Sequence, residues 1–441
     1  MNGVGYVSSV PTKRIRPHVL TLALVEVATG RAVARRLAGS VYAPFVLSML
    51  GRGMLVPVLP LYLRDAGFSF TMVTVVVAAA GIGAVVGGLP AGATAQRFGP
   101  EWLFAGATVL TGIASMLFGI STAVLALFAF HLTVGLGAVG TRVGVQVLVN
   151  DAVGVELRGR AMSMLGGGMR VAMFVGPILG GVLVDVVGFT ATFVVCGVVT
   201  LFGLIPFVMS RRSTDGGRRF ARPTVAASGV VRALRAHTGL LLLAGIGSAL
   251  VVTARAGRNV IVPLIGDELA MSAAAVGFLV AIGTGADLLL FPVSGWLMDR
   301  FGRLAAIVPA FSLLGLGLLL LGLNPTVAGA IVSGVVMGVG NGMSAGTMLT
   351  LGGDLAPPES GPFLSALGMT QDLGVVLGPL LVGWLADAAG LEVSAIVLAV
   401  VMFAAIAWIL IVLGDTARPT RPWIVSRTQF VANASSSSMV S

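Results

Sequence analysis

Apolar residues in this chain come in long unbroken runs. They do not alternate as in a half-buried strand, and polar positions gather in short gaps between the runs. Twelve runs can be marked. The first six are Val41–Tyr62, Met72–Ala95, Leu103–Ile120, Ala123–Asn150, Ala161–Val187 and Phe189–Ser210. After a polar stretch come Gly239–Leu264, Ala273–Met298, Leu304–Leu323, Thr326–Leu351, Ser365–Ala389 and Val393–Leu413. We number them spans 1 to 12. Each has roughly the 17–25 residues that a membrane helix needs, or slightly more if it is tilted. The pattern predicts an all-α membrane protein with twelve transmembrane helices joined by short turns.

Composition agrees. Of 441 residues, 57% are hydrophobic and 10% charged, and the mean hydropathy is +1.03. Soluble domains have roughly 45–50% and about 25%, so lipid is the solvent for most of this chain. The 62 glycines suit close helix approach in lipid. Cys196, the only cysteine, lies in an apolar run, so no disulfide can form within the chain.

Arginine placement sets the orientation. With the N-terminus in the cytoplasm, 21 of the 27 lysines and arginines fall on inside segments. They include Lys13, Arg36, Arg97, Arg158, Arg160, Arg300, Arg303, the linker arginines from Arg211 to Arg235, and Arg427. Only Arg64 falls outside, as the positive-inside rule requires. The net charge of +10 is therefore the cytoplasmic rim of a membrane protein facing anionic lipid, not a nucleic-acid signal. The apolar stretch His18–Val25 is too short to span and is followed by Glu26 and arginines, unlike a cleaved signal peptide. The tail from Ala432 contains four consecutive serines and reads as disordered.

Shifted by 203 positions, the sequence matches itself. Arg52 falls on Arg255, Pro60 on Pro263, Ser69 on Ser272 and Gly92 on Gly295. Arg97-Phe98-Gly99 falls on Arg300-Phe301-Gly302, and Asp151 on Asp354. Further on the offset is 202, placing Gly176-Pro177 on Gly378-Pro379, Asp185 on Asp387 and Gly188 on Gly390. Two parallel repeats, 38–210 and 238–413, are expected to form pseudo-symmetric six-helix bundles. A tail 1–37, a linker 211–237 and a tail 414–441 would lie in the cytoplasm. The interface between the repeats is where such proteins place the substrate path.

Two motifs carry a family resemblance. Gly295-Trp-Leu-Met-Asp299-Arg300-Phe-Gly302-Arg303 resembles the loop between helices 2 and 3 of each half in the major facilitator superfamily. Gly176-Pro177-Ile-Leu-Gly180-Gly181 in span 5 resembles the motif of proton-driven antiporters that export drugs and metabolites. The resemblance implies the major facilitator fold, with spans 1, 4, 7 and 10 lining a cavity and spans 2, 5, 8 and 11 joining the halves. It also implies a cytoplasmic gate at Arg97, Gly99, Asp299, Arg300, Gly302 and Arg303. The first-half loop departs from the family, with Gln96 and Pro100 where the second has Asp299 and Arg303. The latch acid is therefore expected at Asp299 alone. Where drug antiporters often carry an arginine in span 4, this chain has His131, with Gly135 following.

Charges inside the spans are the candidate chemistry. Arg52, Arg142, Arg170, Arg255, Arg258, Asp287 and Asp372 lie deep in predicted helices. Each central charge costs about 2.5–3.5 kcal/mol on insertion scales, so such residues face a cavity or one another. Five cations against two anions leave an excess that an anion could neutralise. Arg255, Arg258 and Asn259 share a face of span 7, Arg142 and Gln146 a face of span 4, and Asn341 and His131 are further cavity candidates. Arg52, Arg255 and Arg258 are expected to form one positive site, and Asp287 and Asp372 to carry protons. The resemblance sets span 5 beside span 8, and depth counted along the two then predicts a salt bridge or water-bridged contact between Arg170 and Asp287.

The reading is a secondary active transporter of the plasma membrane that works by alternating access. It is expected to be a proton-coupled antiporter for efflux of small organic compounds, anionic or amphiphilic. The alternative is proton-coupled import of an organic anion, and a non-transport membrane sensor is a weaker one. With three histidines and one cysteine, no nucleophile–base pair or metal cluster stands out. No enzyme, cofactor, metal or nucleic-acid partner is expected. The partners are substrate, protons and lipid, and the chain is expected to act as a monomer.

Overall fold

A computed structural model describes residues 37–211, 238–356 and 360–416. The predicted tails before residue 37 and after 416, and the linker 212–237, lie outside the described residues. With them lie the stretch His18–Val25, the serine tail and most of the arginines behind the orientation.

The described residues form helices and no strand. Ala38–Tyr42 and Ala43–Asp65 make span 1, Phe70–Phe98 span 2, Pro100–Leu117 with a short turn Phe118–Ile120 span 3, and Val124–Ala152 span 4. Val155–Phe202 runs through spans 5 and 6, and Leu204–Arg211 extends the latter. In the second half, Thr238–Glu268, Ala273–Phe301 and Arg303–Leu323 are spans 7 to 9. Val327–Met343 and Thr347–Leu355 make span 10, Ser360–Ala389 span 11, and Leu391–Trp408 with Ile409–Leu413 span 12.

Eleven of these segments are long and apolar enough to cross a membrane among the described residues. The twelfth crossing is folded into Val155–Phe202, where Gly188 has φ 79° and ψ 172° and turns the chain back. Before the turn span 5 meets span 1 at Gly176 and Gly53; after it span 6 returns to Gly51 at Thr200. Gly390, the repeat partner of Gly188, has φ 94° and makes the equivalent turn. Side chains rarely adopt such a φ, which explains glycine at both places.

Span 10 differs from the single predicted run. It breaks at Gly346, with φ 77°. Hydroxyls serve the backbone carbonyls around the break, as lipid demands. Ser344 Oγ donates to Asn341 O (2.7 Å), Thr347 Oγ1 to Ser344 O (2.8 Å) and Ser294 Oγ to Ala345 O (2.7 Å).

Between the halves, span 5 packs on span 8 and span 2 on span 11, with a smaller contact of span 1 with span 7. The closeness varies with depth. A Cβ on Gly181 would collide with Ala273 O, one on Gly277 with Pro177 O, and one on Gly383 with the Thr74 side chain. Gly88, Gly92, Gly167, Gly295 and Gly368, further along the same four spans, would meet nothing within 4 Å. The halves therefore close at the end bearing Arg64 and Asp267 and part toward the end bearing Arg97 and Asp299. At the closed end, Arg64 Nε lies 3.5 Å from Asp267. Its Nη1 donates to Phe68 O at 2.8 Å and its guanidinium covers the Phe70 ring at 4.1 Å.

Candidate functional site

By their partners, the charges inside the spans fall into two groups. The first group surrounds Asp287 on span 8. Arg170 Nε donates to Asp287 Oδ1 at 3.3 Å, the contact expected from depth, and Asn341 Nδ2 donates to Oδ2 at 3.0 Å. Both carboxylate oxygens are thus engaged, one from each half. Arg170 also donates to Gly166 O at 3.3 Å and stacks on Phe291 at 4.9 Å. Arg255 lies within electrostatic range of Asp287, Arg170 and Arg258. Its guanidinium donates to Ser344 Oγ and lies 5.4 Å from the Phe311 ring. Arg255 therefore braces its own half against the break in span 10. Arg258 donates to its neighbour Asn259 Oδ1 at 3.2 Å.

The second group is Arg52, Arg142 and Asp372. Arg142 is a charged neighbour of both others. Among the described residues, Arg52 finds only Met49 Sδ, at 3.6 Å, and Arg142 and Asp372 make no hydrogen bond. Arg142 and Gln146 both stand exposed on span 4. His131 sits beside this group: its Nδ1 pairs with Val76 O at 2.8 Å, and its ring meets Phe118 edge-on at 5.9 Å.

The repeat explains the asymmetry. Asp372 occupies the position of Arg170, and Ala84 that of Asp287. The ion pair between spans 5 and 8 has no counterpart between spans 2 and 11. Arg142 supplies Asp372 with a charge from a different span.

At the open end, Asp299 is 85% exposed, and its ion-pair partner among the described residues is Arg303 of its own half, at 4.0 Å. In this form, parted at that end, it makes no ion pair with the other half among the described residues. Arg303 instead grips Asp354 with two bonds of 2.8 and 3.3 Å, and Asp415 accepts from Arg303 N at 3.2 Å. Bidentate geometry makes this the firm ion pair of the loop. Arg97 and Arg300 are exposed and lie over neighbouring aromatic rings. Gly99 and Gly302, at φ 95° and 99°, make the tight turns.

The glycines of the span 5 motif divide their work. Gly176 and Gly180 admit the backbone of span 1 at Gly53 and Met54, inside one half. Gly181 and the Pro177 carbonyl meet span 8 at Ala273 and Gly277, across the halves. Sequence reasoning missed Ser344, Asp354, Asp185 and Asp387 as site residues. The last three were visible as repeat matches, but the repeat does not reveal partners.

Comparison with known proteins agrees with this arrangement. The family model of the Major Facilitator Superfamily matches residues 45–254 and 244–436. An uncharacterised MFS-type transporter of Methanocaldococcus jannaschii is 20% identical over 351 residues, which cover 78% of this chain and 89% of that protein. A multidrug resistance protein B homolog of Mycobacterium tuberculosis is 31% identical over 138 residues, 29% of this chain and 25% of that protein. Among solved structures, a bacterial homolog of the human lysosomal transporter Spinster, inward-facing and unoccupied, superposes with a TM-score of 0.71. It is 15% identical, and the match covers 89% of this chain and 99% of that one. With two matched halves, their repeat and their twelve crossings in place, the chain belongs to the Major Facilitator Superfamily of membrane transporters.

Proposed function

We propose that the chain is a proton-coupled exporter of small organic compounds, anionic or amphiphilic, in the cell membrane. One observation carries the substrate charge. Among the described residues, Arg52, Arg142 and Arg258 share one thioether and one amide oxygen as acceptors. Guanidinium carries five donors and best matches carboxylate or phosphate. Three such groups at membrane depth are an electrostatic invitation to an anion. The likeness to a multidrug resistance protein homolog supports export over import. Asp287 and Asp372 are the acids available for proton coupling, and rocking of the halves would expose the site to each side in turn. The arginine count puts the Arg97 and Asp299 end in the cytoplasm, so the form described is open inward.

The test uses purified protein in sealed vesicles with an imposed pH gradient. Carboxylated compounds should move against the proton flow, faster than neutral or cationic analogues of equal size. Arg52→Gln should weaken their binding about tenfold or more, the loss of one charge-assisted bond. Preference for cations, unchanged in Arg52→Gln, would overturn the reading.

A further inference from the structure

Two carboxylates at the closed end each cap a helix of the opposite half. Asp185, at the end of span 5, accepts from Ala273 N at 3.1 Å and Ala274 N at 2.9 Å, the first turn of span 8. Asp387, at the end of span 11, accepts from Phe70 N at 3.0 Å and Thr71 N at 2.8 Å, the first turn of span 2. The pairs are the same pair twice: Asp185 falls on Asp387 by the 202 offset, and Phe70 and Thr71 on Ala273 and Ala274 by 203. The helices' own caps leave these groups free. Ser69 takes Met72 N and Ser272 takes Ala275 N, at 3.3 and 3.2 Å. The next orphan donors of each first turn are thus satisfied only when the halves meet.

We propose that Asp185 and Asp387 are a paired clasp that sets the balance between the form closed at the Arg64 end and the form open there. A carboxylate at a helix N-terminus gains from the backbone donors and from the helix dipole. Both carboxylates are exposed at the ends of their spans and the donors they reach are half-buried, so water can serve them when the halves part. The clasp is therefore reversible and strong enough only to bias. At the opposite end Asp299, the acid expected to hold the halves, faces solvent. The described structure accordingly rests closed at the clasp.

The first measurement reads accessibility, so it does not depend on substrate identity or charge. Val56, half-buried one helical turn from Arg52 toward the closed end, is replaced by cysteine in a Cys196→Ser background. A membrane-impermeant thiol reagent is applied to whole cells and to inside-out vesicles. With Asp185→Asn and Asp387→Asn together, labelling from the outside should rise about tenfold and labelling from the inside should fall. Each single change should give about threefold, since distant sites act independently. A second measurement guards against misfolding: Thr71→Cys with Asp387→Cys is oxidised, and the cross-link should stop transport until a reductant is added. Parental labelling in the doubly neutralised protein, or undiminished transport by the cross-linked one, would overturn the clasp.

Discussion

Arg170 of span 5 and Asp287 of span 8 belong to different halves and form an ion pair of 3.3 Å, with side chains 20% and 14% exposed. Asn341 holds the other oxygen of Asp287 at 3.0 Å, so the carboxylate cannot turn away from Arg170 without losing a second bond. Arg170→Ala leaves a half-buried carboxylate unpaired and should cost about 3 kcal/mol of stability. The exchange of Arg170→Asp with Asp287→Arg should recover much of that loss, read as thermal unfolding in detergent. A double exchange no better than the worse single change would show the two charges to be uncoupled.

Asp372 has no such partner because its repeat-equivalent neighbour is Ala84. Ala84→Arg should supply one and tie span 2 to span 11 as span 5 is tied to span 8. Transport by the variant should slow about tenfold or more, the effect of roughly 1.4 kcal/mol added to the moving step. Asp372→Asn in the same background should restore the rate. Slow transport that persists in the double variant would mean that the new arginine acts by bulk.

The span 5 glycines should separate by role. Gly180→Val forces span 5 off Met54 within one half and should lower expression and stability, in the range of about 1–3 kcal/mol for overpacking. Gly181→Val presses on Ala273 across the halves. It should leave the protein folded but prevent closure at the Arg64 end, raising thiol labelling of Val56→Cys from outside.

Arg255 and Arg258 should likewise diverge. Arg255→Gln removes the brace on Ser344 and Phe311 and should reduce thermal stability by about 1–3 kcal/mol. Arg258→Gln, which loses a single contact with Asn259, should leave stability near parental while weakening binding of carboxylated compounds.

Orientation can be checked directly. A cysteine at Asn324 or Ala389 should react with an impermeant thiol reagent on intact cells, and one at Thr214 should not. Reaction at Thr214 from outside would reverse the assignment of the two faces.

The spans and the repeat were legible because each is a property of the chain itself: run length for a helix in lipid, and register for a duplication. The Arg170–Asp287 pair was legible because the family resemblance sets span 5 beside span 8 and rise per residue fixes depth along a straight helix. Depth says nothing of direction around the helix axis. The sequence reading therefore set Arg255 with Arg52 and Arg258 by depth and face alone, and could not see the contacts with Ser344 and Phe311 of its own half. The Gly346 break was hidden by an apolar run that continues through it. The motif at Asp299 fixes the tight turn at Gly302, but a loop motif does not carry the distance between the halves, so the reach of Asp299 toward the other half could not be read from it.

Arg64 and Asp267 are one position of the repeat, offset by 203, and they face each other at 3.5 Å. Residues related by a two-fold operation can touch only beside its axis. A chain assembled from two copies of the first half would set arginine against arginine there, and two copies of the second would set aspartate against aspartate. The molecule thus carries a record of divergence at its centre: each half has become a key for the other and a misfit for itself. Expressed as separate polypeptides, the halves should pair as unlike partners in preference to like ones.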